Sequence, residues 1–237
     1  MNDGVAIVSG GLDSVTMLHH LVSKGAEPWV LSFNYGQRHA TELEYAQLAA
    51  ERFNLSWTCI DITDVGQLLS IDPTSSLVNR NVPVPEGHYS DETMRATVVP
   101  NRNMMMLSIA TSVCIALRGQ YVAAGPHNGD AAIYPDCRPG FFELLQEAIY
   151  SANQGFLPKG WHFLTPFIYW TKSDIAQEAK RLQVPVELTW SCYLGGTYHC
   201  GRCGTCVERL EAMHRAGIED PTRYMDENYW RTVGTDV

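Results

Sequence analysis

Four apolar residues, Val5 to Val8, stand together near the start of the chain and stop at Ser9-Gly10-Gly11. A short apolar run bounded by turn residues reads as a buried strand. From Leu12 to Lys24 the period changes: Val15, Leu18 and Val22 keep a three-four spacing, with Met17 and Leu21 beside them. That spacing predicts a helix, and Gly25 supplies its stop. Trp29 to Phe33 returns to strand. Thr41 to Phe53 is again helical, with Leu43, Ala46, Ala50 and Phe53 on one stripe, and Ser56 to Ile62 is again extended. This β-α-β-α-β order predicts an α/β fold, a parallel sheet with helices on its faces.

Residues 64–99 break the rhythm with Pro73, Pro83, Pro85, Gly87 and many polar positions. So long an excursion is expected to be a lid, a binding segment or a disordered loop. Asn101 to Arg118 predicts a helix apolar almost all round and therefore buried. Tyr121 to Ala124 is a short strand, Gly125 to Gly140 a loop, Phe141 to Ala152 a helix, and Phe163 to Phe167 an extended piece. Thr171-Lys172-Ser173-Asp174 has the spacing of a capping box. The helix it opens carries Ile175, Ala179 and Leu182 on one face, with Pro185 beyond its end. A last short helix is expected over Thr205 to Ala216. No internal repeat or low-complexity tract interrupts the 237 residues. We expect residues 1–187 to form the main α/β domain and residues 188–237 a small segment attached to it.

Composition narrows the function classes. Hydrophobic residues make up 45% and charged residues 18%, values of a globular protein with a core. No apolar run approaches the ~18 residues of a membrane span. Met1-Asn2-Asp3-Gly4 lacks the basic start and apolar stretch of a signal peptide, so a cytoplasmic location is expected. A net charge of −9 argues against stable binding along a nucleic-acid backbone, which needs a basic face. It does not exclude a single nucleotide held by a few positive groups in one cleft.

The turn after the first strand is where such a nucleotide would sit. Ser9-Gly10-Gly11-Leu12-Asp13-Ser14 stands between a strand and a helix. Glycines let the backbone approach a ligand closely, and unpaired amides at a helix start favour an anion. Ser9 and Ser14 add hydroxyls. The stretch is neither Gly-x4-Gly-Lys-Ser/Thr nor Gly-x-Gly-x-x-Gly, and the turn holds no lysine.

A second constellation lies near the other end. Cys192, Cys200, Cys203 and Cys206 place four soft ligands within fifteen residues, and Gly201 and Gly204 permit a tight knuckle. Tetrahedral zinc takes four thiolates, and a site so filled is closed and structural. His199 is expected to be exposed or to support the ligands from behind. Cys59, Cys114 and Cys137 bring the count to seven, which speaks against a disulfide framework. Cys59 and Cys114 read as core residues, and Cys137 as packing rather than nucleophile.

The Ser-Gly-Gly-x-Asp-Ser turn resembles the PP-loop of the ATP pyrophosphatases, which have an adenine nucleotide α-hydrolase-like fold. Four further stretches carry the resemblance further: "SFNYGQRH" (Ser32 to His39), "VVPNRNMMMLS" (Val98 to Ser108), "YPDCRP" (Tyr134 to Pro139) and "LTWSCY…CGRCGTC" (Leu188 to Cys206). Together they resemble the QueC family of 7-cyano-7-deazaguanine synthases. The resemblance implies adenylation of 7-carboxy-7-deazaguanine by ATP, displacement of AMP by ammonia, and activation of the amide by a second ATP to give the nitrile. It implies ATP and Mg2+ beside structural zinc, and a homodimer.

The residues fit that chemistry. Ser9, Gly10, Gly11, Leu12, Asp13, Ser14 and Lys172 are expected to bind ATP, with Asp13, Lys172 and Arg102 in catalytic roles. Developing charge on pyrophosphate needs fixed donors, and Lys172 is one point charge. Arg38 and Arg102 are the other cations. Asp136 can accept from the N–H and amino edge of a deazaguanine, Asp130 being the other acid in that loop. Tyr134 or Trp190 could stack on the ring. Arg138 could neutralise the substrate carboxylate or pair with Asp136, and Asn103 completes the expected set. Two stretches depart from the family pattern: Asn34 stands where an aspartate is usual, and "GPHNGDAAI" before Tyr134 differs from the commonest version. They motivate a second reading, transfer of the activated acid to another amine such as a protein N-terminus. A third is an ATP-binding zinc protein without turnover, against which the intact glycine turn stands.

Overall fold

The computed structural model describes residues 3–70, 75–88, 93 and 96–233. Strand β1 (Val5–Ile7) is the centre of a five-stranded parallel sheet. It pairs with β2 (Trp29–Asn34) on one side and β4 (Tyr121–Ala123) on the other, with Val5 opposite Trp29 and Val122. β3 (Trp57–Asp61) lies outside β2 and β5 (His162–Leu164) outside β4, giving the order β3-β2-β1-β4-β5. Among the described residues the α-helices are α1 (Leu12–Ser23), α2 (Glu42–Arg52), α3 (Thr63–Leu69), α4 (Arg102–Leu117), α5 (Asn128–Ile133), α6 (Pro139–Ala152), α7 (Lys172–Arg181) and α8 (Gly204–Arg215).

Two cores sandwich the sheet because successive strand residues face opposite sides. Ala6, Val30 and Ala123 pack against α1, α2, α7 and α8 through Val15, Leu18, Ala46, Ile175, Ala179 and Met213. Their neighbours Val5, Leu31 and Val122 join the opposite core with Leu107 and Ala110 of α4, Phe142 and Leu145 of α6, and Trp161. Both faces are covered, which is why these strands read as continuous apolar runs rather than alternations. The order reverses between β1 and β4. In such sheets the crevice outside the strand ends at the reversal is the ligand site.

Most predicted elements fall within a residue or two of the observed ones. Three expectations change. Helix α4 is not buried all round: Met104, Ser108, Ser112 and Ala116 form an exposed stripe at four-residue spacing. Ser108 and Ser112 satisfy their hydroxyls on the carbonyls of Met104 and Ser108, at 2.8 and 3.1 Å, which hides this polar face among small residues. The loop expected over 125–140 contains α5 and a 3-10 turn, Pro135–Cys137. The cap of α5 is a histidine: His127 Nδ1 accepts from Gly129 N at 3.0 Å, and Asp130 Oδ2 accepts from His127 N at 3.1 Å. Histidine is not among the usual caps, so the start was hidden. The excursion over 64–99 opens with α3. Residues 71–74, 89–92, 94 and 95 lie outside the described residues, and the lid expectation falls partly on them.

The C-terminal part is fastened by one buried cation. The Arg209 side chain is 0% exposed and that of Asp220 4%. Arg209 donates to Asp220 at 2.8 Å, to Thr189 Oγ1 at 2.6 Å, and to the Val186 carbonyl and Thr222 Oγ1 at 2.8 Å. Burial works to raise the Asp220 carboxyl, but Arg209 overrules it and holds the group at about 2. A carboxyl depressed on folding adds stability above its ordinary range and loses it as pH falls through the folded value. Arg209→Met, which strands a buried carboxylate, is therefore expected to cost about 3–5 kcal/mol in urea unfolding at neutral pH. Asp220→Asn should remove the part of the acid destabilisation that develops from about pH 4 down to about pH 2, read by the same titration.

Candidate active site

The crevice at the sheet reversal holds a cavity of about 280 Å³. Ile7, Val8, Ser9, Gly11, Asp13 and Ser14 line it from the β1 side, Phe33 and Tyr35 from β2, and Ala124, Gly125 and Pro126 from β4. The glycine turn has a steric cause. Gly10 adopts φ +95°, and a Cβ there would lie 1.9 Å from the carbonyl oxygen of Glu42 at the start of α2. Only glycine fits. The turn then closes on its own serines: Ser14 Oγ accepts from Ser9 N at 3.1 Å and Gly10 N at 3.3 Å, and Ser9 Oγ accepts from Gly11 N at 3.3 Å. Three amides are gathered at one helix start, the arrangement that receives an anion.

Lys172 reaches this turn from α7, whose start is fixed as predicted. Thr171 Oγ1 accepts from Asp174 N at 3.2 Å, and Asp174 Oδ2 accepts from Thr171 N at 2.8 Å. Lys172 Nζ lies 2.5 Å from Asp13 Oδ2 and 3.4 Å from Glu208 Oε2. Burial works to raise the Asp13 carboxyl, but Lys172, His127 and Arg209 together outweigh it and hold the group below its ordinary value. Asp13 Oδ1 is buried with no partner among the described residues. His127 accepts at Nδ1 from Gly129 N, and its Nε2 faces Asp130 Oδ2 at 3.5 Å and Glu208 Oε1 at 4.0 Å. Burial raises the Asp130 carboxyl, with His127 and Lys172 pulling the other way.

The far wall comes from α4 and the loop after β4. Arg102, Asn103, Asp130, Tyr134, Asp136 and Cys137 line the cavity. Arg102 donates to Tyr35 Oη at 3.3 Å, Tyr134 Oη pairs with Thr97 Oγ1 at 2.7 Å, and Asn103 Nδ2 donates to Cys137 Sγ at 3.4 Å. Burial drives the Cys137 thiol far above its ordinary range, which agrees with packing rather than attack.

Three expected substrate residues are not in the wall. Arg38 donates to the carbonyls of Asn79 and Val82, at 3.1 and 3.0 Å, and so holds the excursion. Arg138 donates to the Ala131 carbonyl at 2.9 Å from an exposed position. Trp190 is buried against the cysteines, donates to the Cys192 carbonyl at 2.8 Å and stacks near His199. Its backbone N–H donates to the Gly10 carbonyl at 2.8 Å, so it braces the glycine turn from behind. Conversely, sequence reasoning passed over Glu42, Glu208, His127, Tyr35 and Tyr193. Glu208 looks like any polar residue of an amphipathic helix, and only the fold of the cysteine segment brings it to Lys172.

The four cysteines are free and buried, with donor atoms all within 4.8 Å of one another. Cys192 Sγ accepts from Cys200 N at 3.3 Å, and Cys200 Sγ accepts from Cys203 N at 3.2 Å. Convergent sulfurs that accept amide hydrogen bonds are arranged to carry thiolate charge, and four of them suit a metal ion. His199 is not one of the converging ligand residues: its Nε2 accepts from Ser191 N at 3.0 Å, and burial holds the ring at about 4, hence neutral.

A family model described as queuosine biosynthesis protein QueC matches residues 3–217. The 7-cyano-7-deazaguanine synthase of Paracoccus denitrificans (strain Pd 1222) is 48% identical over 96% of this chain and 95% of its own length. That of Brucella ovis (strain ATCC 25840 / 63/290 / NCTC 10512) is 48% identical over 97% of this chain and 96% of its own. Among solved structures, the NMN synthetase of Francisella tularensis aligns with a TM-score of 0.47 at 15% identity, covering 98% of this chain and 84% of that one. With the match running through the glycine turn, the cavity wall and the cysteines alike, the chain belongs to the QueC family.

Proposed function

We propose that this protein is an ATP-dependent ligase that converts 7-carboxy-7-deazaguanine and ammonia to 7-cyano-7-deazaguanine by way of an acyl adenylate and an amide. The observation that carries the reading is near-half identity along almost the whole chain to proteins named for that synthesis. The cavity supports it. Its glycine end offers amides to the leaving pyrophosphate, with Lys172 behind Asp13, as charge grows when the phosphorus–oxygen bond breaks. Its far wall offers the Asp136 carboxylate to the donor edge of the deazapurine, Tyr134 as a ring neighbour, and Arg102 to neutralise the carboxylate that is activated. Asp130 and Asn103 line the same cavity as further contacts.

Two metals belong to this reading. Mg2+ would be held from the Asp13 side, where a buried carboxylate oxygen has no partner; it supplies charge neutralisation to the phosphates. Zinc would be held by Cys192, Cys200, Cys203 and Cys206 as a closed structural ion. It would make residues 188–237 a fastened segment of the ATP-handling fold, because α8 then carries Glu208 to Lys172 and Trp190 braces Gly10. A cytoplasmic homodimer completes the reading.

Incubation with the acid, ATP, Mg2+ and ammonium should give the nitrile by mass spectrometry, with the amide as an intermediate. AMP without any nitrile would sink the reading and point to another amine as acceptor. Lys172→Met should lower kcat by about 10²–10³ with the fold intact by circular dichroism, the magnitude of losing one fixed donor to developing charge. Elemental analysis should find one zinc per chain. Chelation should lower the melting temperature and abolish activity, because the helix that carries Glu208 loses its anchor.

A further inference from the structure

Glu42 is a buried carboxyl that the chemistry above leaves without a role. It opens α2 beneath the glycine turn, its side chain lines the cavity, and it is 8% exposed. One of its oxygens, Oε1, accepts from Gln37 Nε2 at 3.1 Å and has His39 Nε2 at 3.5 Å. Gln37 is itself locked, donating to the Phe33 carbonyl at 3.1 Å and accepting from Tyr35 N at 3.0 Å. Around the carboxyl the cavity wall is aromatic: Phe33, Tyr35, His39 and Tyr193, with His39 and Tyr193 ring centroids 5.3 Å apart.

We propose that Glu42 is the cation site for the incoming ammonium and accepts its proton before it attacks the adenylate. The inference rests on the proposed synthesis and adds the group that handles its amine. A lone carboxylate in an aromatic pocket suits a small cation, which gains a charge partner and ring faces together.

Among the described residues, no permanent cation is bonded to Glu42. His39 is held neutral, because burial together with Arg102 and Arg38 brings it down to about 3. Arg102 acts on the carboxyl only from a distance, its hydrogen bond going to Tyr35. Burial therefore prevails over the help of Gln37 and Arg102, and the carboxyl rises to about 8. Tyr35, a titratable neighbour in the same wall as Tyr193, is raised by burial and stays neutral. Such a group is mostly protonated at neutral pH and exchanges protons with ammonium as it ionises through about pH 8.

The step balances. Ammonium gives one proton to the Glu42 carboxylate and becomes ammonia. The nitrogen lone pair forms the C–N bond to the acyl carbon. The acyl C–O bond to phosphate breaks, and its electron pair leaves with AMP. The surplus N–H proton goes to the departing AMP, and Glu42 returns its own to solvent.

Glu42→Gln preserves shape and tests the inference. ATP–pyrophosphate exchange with the acid, run without ammonium, should stay within about threefold of wild type. The KM for ammonium should rise at least tenfold, and the rise of kcat/KM for ammonium through about pH 8 should flatten towards ammonium's own titration. Glu42→Asp should recover part of both. An unchanged ammonium KM overturns the proposal, as does a parallel loss of exchange and amide formation, which would mean that Glu42 only supports the turn.

A binding measurement stands apart from turnover. At about pH 8.5, ammonium chloride should raise the melting temperature of wild type, but not of Glu42→Gln, above that in tetramethylammonium chloride of equal ionic strength. No gain in wild type overturns the site. A gain in a protein that makes no nitrile keeps the cation site and sinks the proposed synthesis instead.

Discussion

The approach of the first strand's turn to the start of α2 is the contact on which the site is built. Gly10 has no room for a Cβ because the Glu42 carbonyl stands where one would go. The positive φ that follows turns the next amides toward one another and toward the serine hydroxyls. That same closeness carries the Glu42 side chain into the cavity wall. The anion end and the buried carboxyl are therefore positioned by one backbone contact. Trp190 donates to Gly10 from the opposite side, so the turn is held between α2 and the cysteine segment.

Charge organises the second layer. Lys172 is close to two carboxylates, Asp13 and Glu208, and His127 faces Asp130 and Glu208. An anion arriving at the glycine turn competes with these carboxylates for the same ammonium group. The competition keeps Lys172 charged and near the turn in the absence of ligand, which lowers the reorganisation needed when phosphate charge develops. Glu208 enters this group from α8, beyond the cysteines. The segment that contributes few residues to the sheet core thus contributes one of the charges that set the lysine.

Periodicity was enough for the sheet. The strands are covered on both faces and the helices on one, so their apolar patterns differ in the way the two periods require. The capping box at Thr171, the glycine turn and the cysteine spacing were legible because each is a local rule with a local cause. What stayed hidden needed distance in sequence. Arg38 and Trp190 have the right chemistry for a ligand, yet neighbouring carbonyls and sulfurs claim them, and no spacing rule records that. Glu208 and Glu42 are ordinary helix acids until the fold buries or pairs them. His127 caps a helix with a ring nitrogen, a use of histidine that a list of cap residues omits.

Electrostatics also distinguishes the two ends of one small cavity. At the glycine end Lys172 touches Asp13 and, with His127 and Arg209, holds its carboxyl below the ordinary value against burial. At the Glu42 end no lysine or arginine among the described residues is bonded to the carboxyl, Arg102 acts on it only from a distance, and burial raises it to about 8. The two acids share one cavity wall, but the partner that each is given sets one for permanent charge and the other for proton exchange. A reaction that must hold polyphosphate at one point and deprotonate an amine at another needs that asymmetry. In this fold it comes from placing a single lysine at the start of α7 rather than on α4.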